Sequence, residues 1–432
     1  MHTLSQLRSG ALAGLKRLDL SCGLTEFPRE IFDLADSLEV LNLSGNRLDT
    51  LPDDLPRLHR LRVLFCSDNP FAELPAVLGR CPQLEMVGFK ANRIRHVPGA
   101  ALPPRLRWLI LTDNQVETLP AEIGRCTALQ KLMLAGNRLQ QLPAELAGCR
   151  GLELLRISAN RFEALPAWLP AMPRLAWLAC AGNPMERAVD AAAPQDVDWR
   201  ELVVEQLLGE GASGLIYRAV WRRPGATPVP VAVKLFKGEV TSDGWPQSEM
   251  AASLAAGAHP NLIPVAGRLV GHPEGGAGLV MHYLPSSFRT LAGPPSLASC
   301  TRDVYAAGTR YTAAVAQRIA QGTASALAHL HARGLLHGDF YAHNLQCDAA
   351  GQAVLGDMGA ASFLPADAAL AGALQRLEAR AFGCLLEELL QHTDDTLEEA
   401  TRQGWTRLRD DCLQAAVAAR PSFAQIVARL AH

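Results

Sequence analysis

Through the first half of the chain the apolar positions follow the pattern LxxLxLxxNxLxxLP, with starts at Leu15, Leu38, Leu61, Leu84, Leu106, Leu129, Leu152 and Leu175, spaced by 23 residues apart from one step of 22. Asparagine recurs in register at Asn46, Asn69, Asn92, Asn114, Asn137, Asn160 and Asn183, and proline at Pro28, Pro52, Pro75, Pro98, Pro120, Pro143 and Pro166. A fixed period of this length marks stacked supersecondary units, none of which can bury its apolar face alone. The LxL core of each unit predicts a short strand, and the LP step predicts the start of a return segment. The first unit has a shortened loop, Ser21-Cys22-Gly23, without the asparagine, as a terminal cap can.

This pattern resembles a leucine-rich-repeat domain of the cytosolic bacterial type, spanning residues 12–187. Leucines at the strand positions are expected to fill a shared core, and the asparagines to bond backbone groups of adjoining turns. Side chains alternate along a strand, so Val63, Met86, Trp108 and Trp177, with Phe65 and Ile110 two residues after Val63 and Trp108, are expected on the concave face. An exposed apolar and aromatic stripe there predicts a surface for a protein partner. The competing expectation is that part of the stripe packs on the rest of the chain.

The repeat period is lost in an Ala-, Pro- and Asp-rich stretch, and residues 188–198 are expected to be a linker. From Leu202 the apolar pattern becomes strand-like, with Gly209, Gly211 and Gly214 in a GxGxxG between two expected strands. In a dinucleotide fold a helix follows that motif at once, whereas here a strand follows. Val231-Ala232-Val233-Lys234 ends another strand, and Glu249 sits on the next helical run. After an Ala-rich helical run comes His337-Gly338-Asp339-Phe340-Tyr341-Ala342-His343-Asn344. There the Asp339 carboxylate could receive a hydroxyl proton and the Asn344 amide oxygen could hold a metal. Read alone, that stretch is also what an ordinary polar loop contains.

Taken in order, these motifs resemble the eukaryotic-type protein kinase family over residues 199–432, with a small lobe over 199–284 and a large lobe over 285–432. The expected fold is therefore multi-domain, an α/β leucine-rich-repeat solenoid followed by an α+β two-lobed protein-kinase-like domain. The resemblance implies ATP and Mg²⁺ as cofactors. It implies a nucleotide site formed by Leu208, Gly209, Glu210, Gly211, Ala212, Ser213, Gly214, Ile216, Ala232, Lys234, Met281 and Tyr283, with Met281 as gatekeeper. Lys234 would hold the α and β phosphates and pair with Glu249, Asp339 would be the base, and Asn344 and Asp357 (of Asp357-Met358-Gly359) would hold the metal.

Departures from the family pattern bear on regulation. Gly338 replaces an arginine that typically pairs with a phosphorylated activation loop, and Tyr341 stands where a catalytic-loop lysine is usual. The segment after Asp357 is short and has no APE motif, and Glu378 stands where an aspartate usually begins the helix F motif. Arg420, in an RPSF element, is expected to pair with Asp367 in place of the missing APE glutamate.

The composition narrows partners and setting. With 49% apolar and 19% charged residues and a formal net charge of −2, the chain offers no basic block for nucleic acid or a membrane surface. It has neither a secretory start nor an apolar run of ~18 residues, and its ten cysteines form no metal or disulfide framework; Cys81, Cys126 and Cys149 share a repeat column as core filler. A cytoplasmic location is expected. The leading expectation is a magnesium-dependent protein kinase, Ser/Thr-specific, with the repeats recruiting partners. A pseudokinase scaffold and a small-molecule phosphotransferase are the alternatives.

Overall fold

The computed structural model describes residues 2–186, 195–211, 213–237, 240–241 and 243–431; Ala212 and most of the expected linker lie outside these. The chain divides into two compact units, residues 1–172 with 183–185, and residues 173–182 with 186–432.

The first unit opens with a one-turn helix α1 (Leu4–Arg8), capped by Thr3 and Gln6. Seven three-residue strands follow: β1 (Arg17–Asp19), β2 (Val40–Asn42), β3 (Val63–Phe65), β4 (Met86–Gly88), β5 (Trp108–Ile110), β6 (Lys131–Met133) and β7 (Leu154–Arg156). Each pairs in parallel with the next, so corresponding residues of successive repeats stand side by side. The middle residue of every strand is fully buried. Returns on the opposite side are 3₁₀ turns, several entered from a proline such as Pro75 (φ −62°) or Pro143 (φ −62°). Proline's fixed φ suits that entry, and its missing N–H costs nothing where no partner is required.

The buried asparagines tie repeat to repeat. Asn137 accepts from Val116 N–H (2.9 Å) and donates to Leu111 O (2.8 Å) and Leu134 O (2.9 Å). Asn160, one period on, and Asn69, three periods back, do the same. One side chain thus supplies the acceptor for a buried N–H of one turn and shares the carbonyls of two turns with the asparagines on either side. Burial also holds the thiols of Cys81 and Cys126 up at about 11, as expected of core filler.

The expected apolar stripe is only partly present. Phe65, Trp108 and Ile110 remain half-exposed, but Val63 and Met86 are buried and offer no free surface. In register Met86 stands between Val63 and Trp108, and Gly88 leaves room for the Phe65 ring, so neighbours shade the centre of the stripe. Trp108 is itself engaged by Lys131 Nζ, 4.5 Å from its ring centroid, and by Met133 Sδ at 3.3 Å.

The second unit begins with β8 (Trp177–Ala179) and β9 (Asp196–Asp198). Strands β10 (Leu202–Glu210), β11 (Gly214–Trp221), β12 (Val229–Phe236), β13 (Val265–Val270) and β14 (Gly278–His282) form a sheet in the order β10-β11-β12-β14-β13-β9. All neighbours are antiparallel except β13 and β9. Val197, Trp221, Val231, Val233, Leu269 and Val280 form its core. Helix α2 (Pro246–Ala256) starts at a proline and stops at Gly257 (φ +67°).

Beyond the sheet the chain is largely helical. Helix α3 (Ala313–Ala332) precedes β16 (Leu335–Leu336), and the short strands β15 (Arg289–Thr290), β17 (Leu345–Cys347) and β18 (Ala353–Leu355) form a small sheet. Strand β19 (Ser362–Phe363) pairs with β16. The long α4 (Ala368–His392), then α5 (Glu399–Cys412) and α6 (Phe423–Leu430), complete the lobe. The architecture is therefore a repeat solenoid followed by a two-lobed domain with a mixed sheet and a helical part. Among the described residues no helix is long and apolar enough to cross a membrane.

Candidate active site

A cleft runs through the second unit, and the sheet supplies one wall of it. The Gly-rich turn joins β10 to β11, with Gly211 N–H donating to Gly214 O (2.9 Å). Of its glycines only Gly214 is required sterically, because a Cβ there would lie 2.4 Å from Leu235 O, whereas Gly209 and Gly211 face open space. Leu208, Gly209, Ile216, Ala232, Met281 and Tyr283 line the outer part of the cleft, about 500 Å³. Ile216, Lys234, Glu249, Leu279, Met281 and Asp357 are among the residues lining an inner cavity of about 130 Å³. Met281 pairs with Ala232 across β12 and β14, which places it where the two parts meet. Glu210, at the edge of the turn, pairs with Lys237. Ser213 lies in the turn with its carbonyl accepting from Lys237 N–H (3.0 Å), and Ala212 lies outside the described residues.

Alternation along β12 turns Lys234 inward, where it is buried. Its Nζ lies 2.5 Å from Glu249 Oε1 and 3.9 Å from Asp357 Oδ1. Burial alone would lower the lysine, but the charges of Asp357 and Glu249, with Asp243, outweigh it and hold Lys234 protonated. Burial pushes the Glu249 carboxyl up to about 7 although Lys234 opposes the shift. The structure thus joins Lys234 to Glu249, as the resemblance implied.

The stretch 337–344 adjoins the inner cavity through Gly356, one of the residues that line it. His337 Nε2 lies 2.8 Å from Gly356 O and its Nδ1 accepts from Asp339 N–H (3.3 Å), an arrangement that fits the Nε2–H tautomer. Asn344 Nδ2 donates to Asp339 O (2.8 Å) and to Asp339 Oδ2 (3.0 Å), closing the loop on itself. Gly356 N–H in turn donates to Asn344 O (3.1 Å), so Asn344 and Asp357 sit on adjoining backbone. Asp357 has φ +53°, unusual for a residue with a side chain, and its carboxylate is half-exposed. An amide oxygen and a carboxylate fit a hard divalent cation that keeps phosphate and water ligands. Among the described residues no cluster of three His, Cys, Asp or Glu side chains converges on a metal site.

Two residues of this loop make contacts beyond those expected. His343 is held by Asp303, which accepts from His343 N–H (3.0 Å) and lies 2.7 Å from Nδ1. Burial would lower the imidazole, but the Asp303 hydrogen bond and charge, with Asp339 and Asp357, raise it. Asp303 was not legible in the sequence, since it lies in irregular chain with no motif around it. Tyr341 is buried, its ring 4.2 Å from that of Trp177 and 6° from parallel. Trp177 is therefore not part of an exposed partner stripe: it is 2% exposed, and its indole Nε1–H donates to Phe340 O (2.7 Å). The repeat pattern located its strand correctly but said nothing of what covers the ring.

The expected Asp367–Arg420 pair does not form. The Asp367 carboxylate caps α4 by accepting from Leu370 N–H (2.8 Å). The buried Arg420 guanidinium instead donates to the carbonyls of Gln414 (2.8 Å), Arg376 (3.2 Å) and Pro173 (2.6 Å). Burial, with the charge of Arg380, lowers Arg420 to about 10. Backbone oxygens accept the fork's hydrogen bonds without balancing its charge, and a helix N-terminus is where an aspartate is stabilised anyway.

Comparison with known proteins is informative for both units. Residues 202–380 match the family described as protein tyrosine and serine/threonine kinase, and residues 37–58 and 104–162 match leucine-rich-repeat families. Over 151 residues the chain is 27% identical to a probable serine/threonine-protein kinase, gdt2, of Dictyostelium discoideum, covering 34% of this chain and 8% of that one. Over 169 residues it is 31% identical to CBL-interacting protein kinase 22 of Oryza sativa subsp. japonica, covering 38% and 36%. The chain thus spans well under two thirds of the length of these relatives. A leucine-rich-repeat protein of Leptospira interrogans is similar at 29% identity and TM-score 0.39, over 42% of this chain and 47% of that one.

Proposed function

We propose that this chain, in which leucine-rich repeats precede a protein kinase domain, transfers the γ-phosphoryl group of ATP to serine or threonine hydroxyls of proteins. The observation that carries the reading is Lys234 Nζ, buried 2.5 Å from Glu249 Oε1 and 3.9 Å from Asp357 Oδ1, with Asp357 next to Gly356, whose N–H donates to Asn344 O of the closed Asp339–Asn344 loop. A buried lysine held charged beside carboxylates suits the α and β phosphates of a nucleotide. Leu208, Ala232, Met281 and Tyr283 would enclose the base, and Gly209 to Gly214 would cover the phosphates.

In this reading Asp339 accepts the proton of the attacking hydroxyl while the phosphoryl group passes to its oxygen and ADP leaves. Lys234 and Glu249 fix the nucleotide, and Asn344 and Asp357 are the residues that would hold magnesium. When bound, the ion neutralises phosphate charge. The half-exposed Phe65, Trp108 and Ile110 are the surface on which the repeats would recruit a protein partner. The domain limits 12–187 and 199–432, a bacterial type of repeat and a cytoplasmic setting complete the reading.

A second reading, a pseudokinase scaffold that binds without transferring, is favoured by one observation. Tyr341 is buried where a loop lysine is usual. Incubating the chain with γ-labelled ATP and magnesium separates the two, since a scaffold binds nucleotide without labelling protein.

A further inference from the structure

The sequence departs from the kinase pattern at Gly338 and Tyr341, and in the structure both positions meet the same short segment, residues 173–182. Trp177 donates its indole N–H to Phe340 O, the carbonyl immediately following Asp339 in the chain, and stacks its ring on Tyr341. Gly338 has φ +73°, and a Cβ on it would lie 2.6 Å from Leu178 O and 2.5 Å from Ala360 O. A side chain at 338 is therefore excluded twice, by its own backbone conformation and by the strand that lies against it.

The segment that carries Trp177 is itself anchored at several points. Pro173 O accepts from Arg420 Nη2 (2.6 Å). Cys180 N–H donates to Ser362 Oγ (3.2 Å), on the strand that follows Asp357, and Gly182 N–H donates to Glu186 Oε2 (2.5 Å). The first two contacts tie the segment to Arg420 and to the stretch that follows Asp357, and the third closes its own end. Between them, Asn344 closes the loop from inside through Asp339 O, and Trp177 holds it from outside through Phe340 O.

We propose that Trp177 is a positioning residue for the catalytic loop, fixing the backbone of residues 339–341, and so the Asp339 carboxylate, from the strand Trp177–Ala179. The inference rests on the phosphotransfer reading for its kinetic consequence only. A parallel aromatic stack and a buried amide-type hydrogen bond each resist displacement, and both would be lost together if the segment moved. Such a clamp acts on orientation, so it raises turnover without tightening nucleotide binding. It also makes the loop's order depend on the chain before residue 183, with no phosphorylated side chain required.

The test compares the full chain with Trp177→Ala, Trp177→Phe and Tyr341→Leu, using γ-labelled ATP with magnesium and amide hydrogen exchange of residues 338–344 in the nucleotide-free protein. Trp177→Ala is expected to lower kcat by about tenfold or more while KM for ATP stays within about twofold. Loop amides should exchange faster in the same variant. Trp177→Phe, which keeps a ring but loses the donor, should recover part of both. Tyr341→Leu removes the stack from the other side and should mimic Trp177→Ala, which keeps the question open to test if one variant fails to fold. Wild-type kcat together with unchanged exchange in Trp177→Ala would overturn the clamp. If the wild type transfers no phosphate, the proposed activity fails, while the exchange experiment still decides whether Trp177 orders the loop.

Discussion

Glu378 grips the loop 337–344 from the helical side: its Oε1 accepts from Gly338 N–H at 2.8 Å, and its Oε2 lies 2.7 Å from His331 Nε2. Burial of this carboxyl opposes ionisation, but the hydrogen bond and charge of His331, with His337 and the Gly338 N–H, outweigh it and hold Glu378 below the ordinary value of 4.5. A depressed carboxylate adds stability above its ordinary value and loses that contribution as the pH falls through the depressed one. Glu378→Gln should therefore cost on the order of 2 kcal/mol at neutral pH. Below the ordinary carboxylate value its urea midpoint should fall less steeply with acid than that of the wild type. Parallel pH profiles would show that folding leaves the Glu378 carboxyl unshifted and would contradict this account.

Arg420 and Asp367 should behave as independent sites. Arg420→Ala removes a buried guanidinium from three backbone carbonyls and should destabilise by about 3 kcal/mol or more. Asp367→Ala removes only a helix cap and should cost about 1 kcal/mol. Chemical denaturation of both single variants and the double variant should give additive losses, whereas a coupling energy of about 1 kcal/mol or more would mean that the two side chains interact after all.

In the repeat unit, Asn137→Ala leaves Val116 N–H without its side-chain partner, whereas Leu111 O and Leu134 O still accept from Asn114 and Asn160. A loss of about 1–3 kcal/mol is expected for buried groups deprived in this way. The measurement is the denaturation midpoint, with local amide exchange at Val116 as the direct readout; an unchanged Val116 amide would contradict the ladder.

Gly214→Ala should be worse than Gly209→Ala, because only Gly214 has a carbonyl 2.4 Å from where a Cβ would sit. ATP affinity, read by titration, should fall markedly for the first and little for the second, and equal effects would mean that the turn closes differently on nucleotide.

The sequence was most informative where one physical requirement repeats or where charge must be buried. A 23-residue period located the strands, the asparagine ladder and the proline-entered returns, because every repeat solves the same packing problem. Lys234, Glu249, Asp339, Asn344 and Asp357 could be picked out because their motifs and order resemble those of the protein kinase family. What sequence could not supply were contacts between segments far apart in the chain. Periodicity assigned Trp177 to a column with Trp108, yet a ring of Tyr341 covers it, 164 positions further on. Arg420 was given a carboxylate partner because unpaired buried charge is costly, but backbone carbonyls meet the same need, and they carry no sequence signal. Asp303 was missed for the same reason, since its link to His343 is made across irregular chain.

The most direct test of the account is phosphoryl transfer from γ-labelled ATP in the presence of magnesium, comparing the full chain with Lys234→Ala and Asp357→Ala. The account predicts label on protein with the wild type and a loss of about a hundredfold or more in either variant, because each removes a group that holds the nucleotide or its metal. Nucleotide binding by the wild type with no label on protein would contradict it.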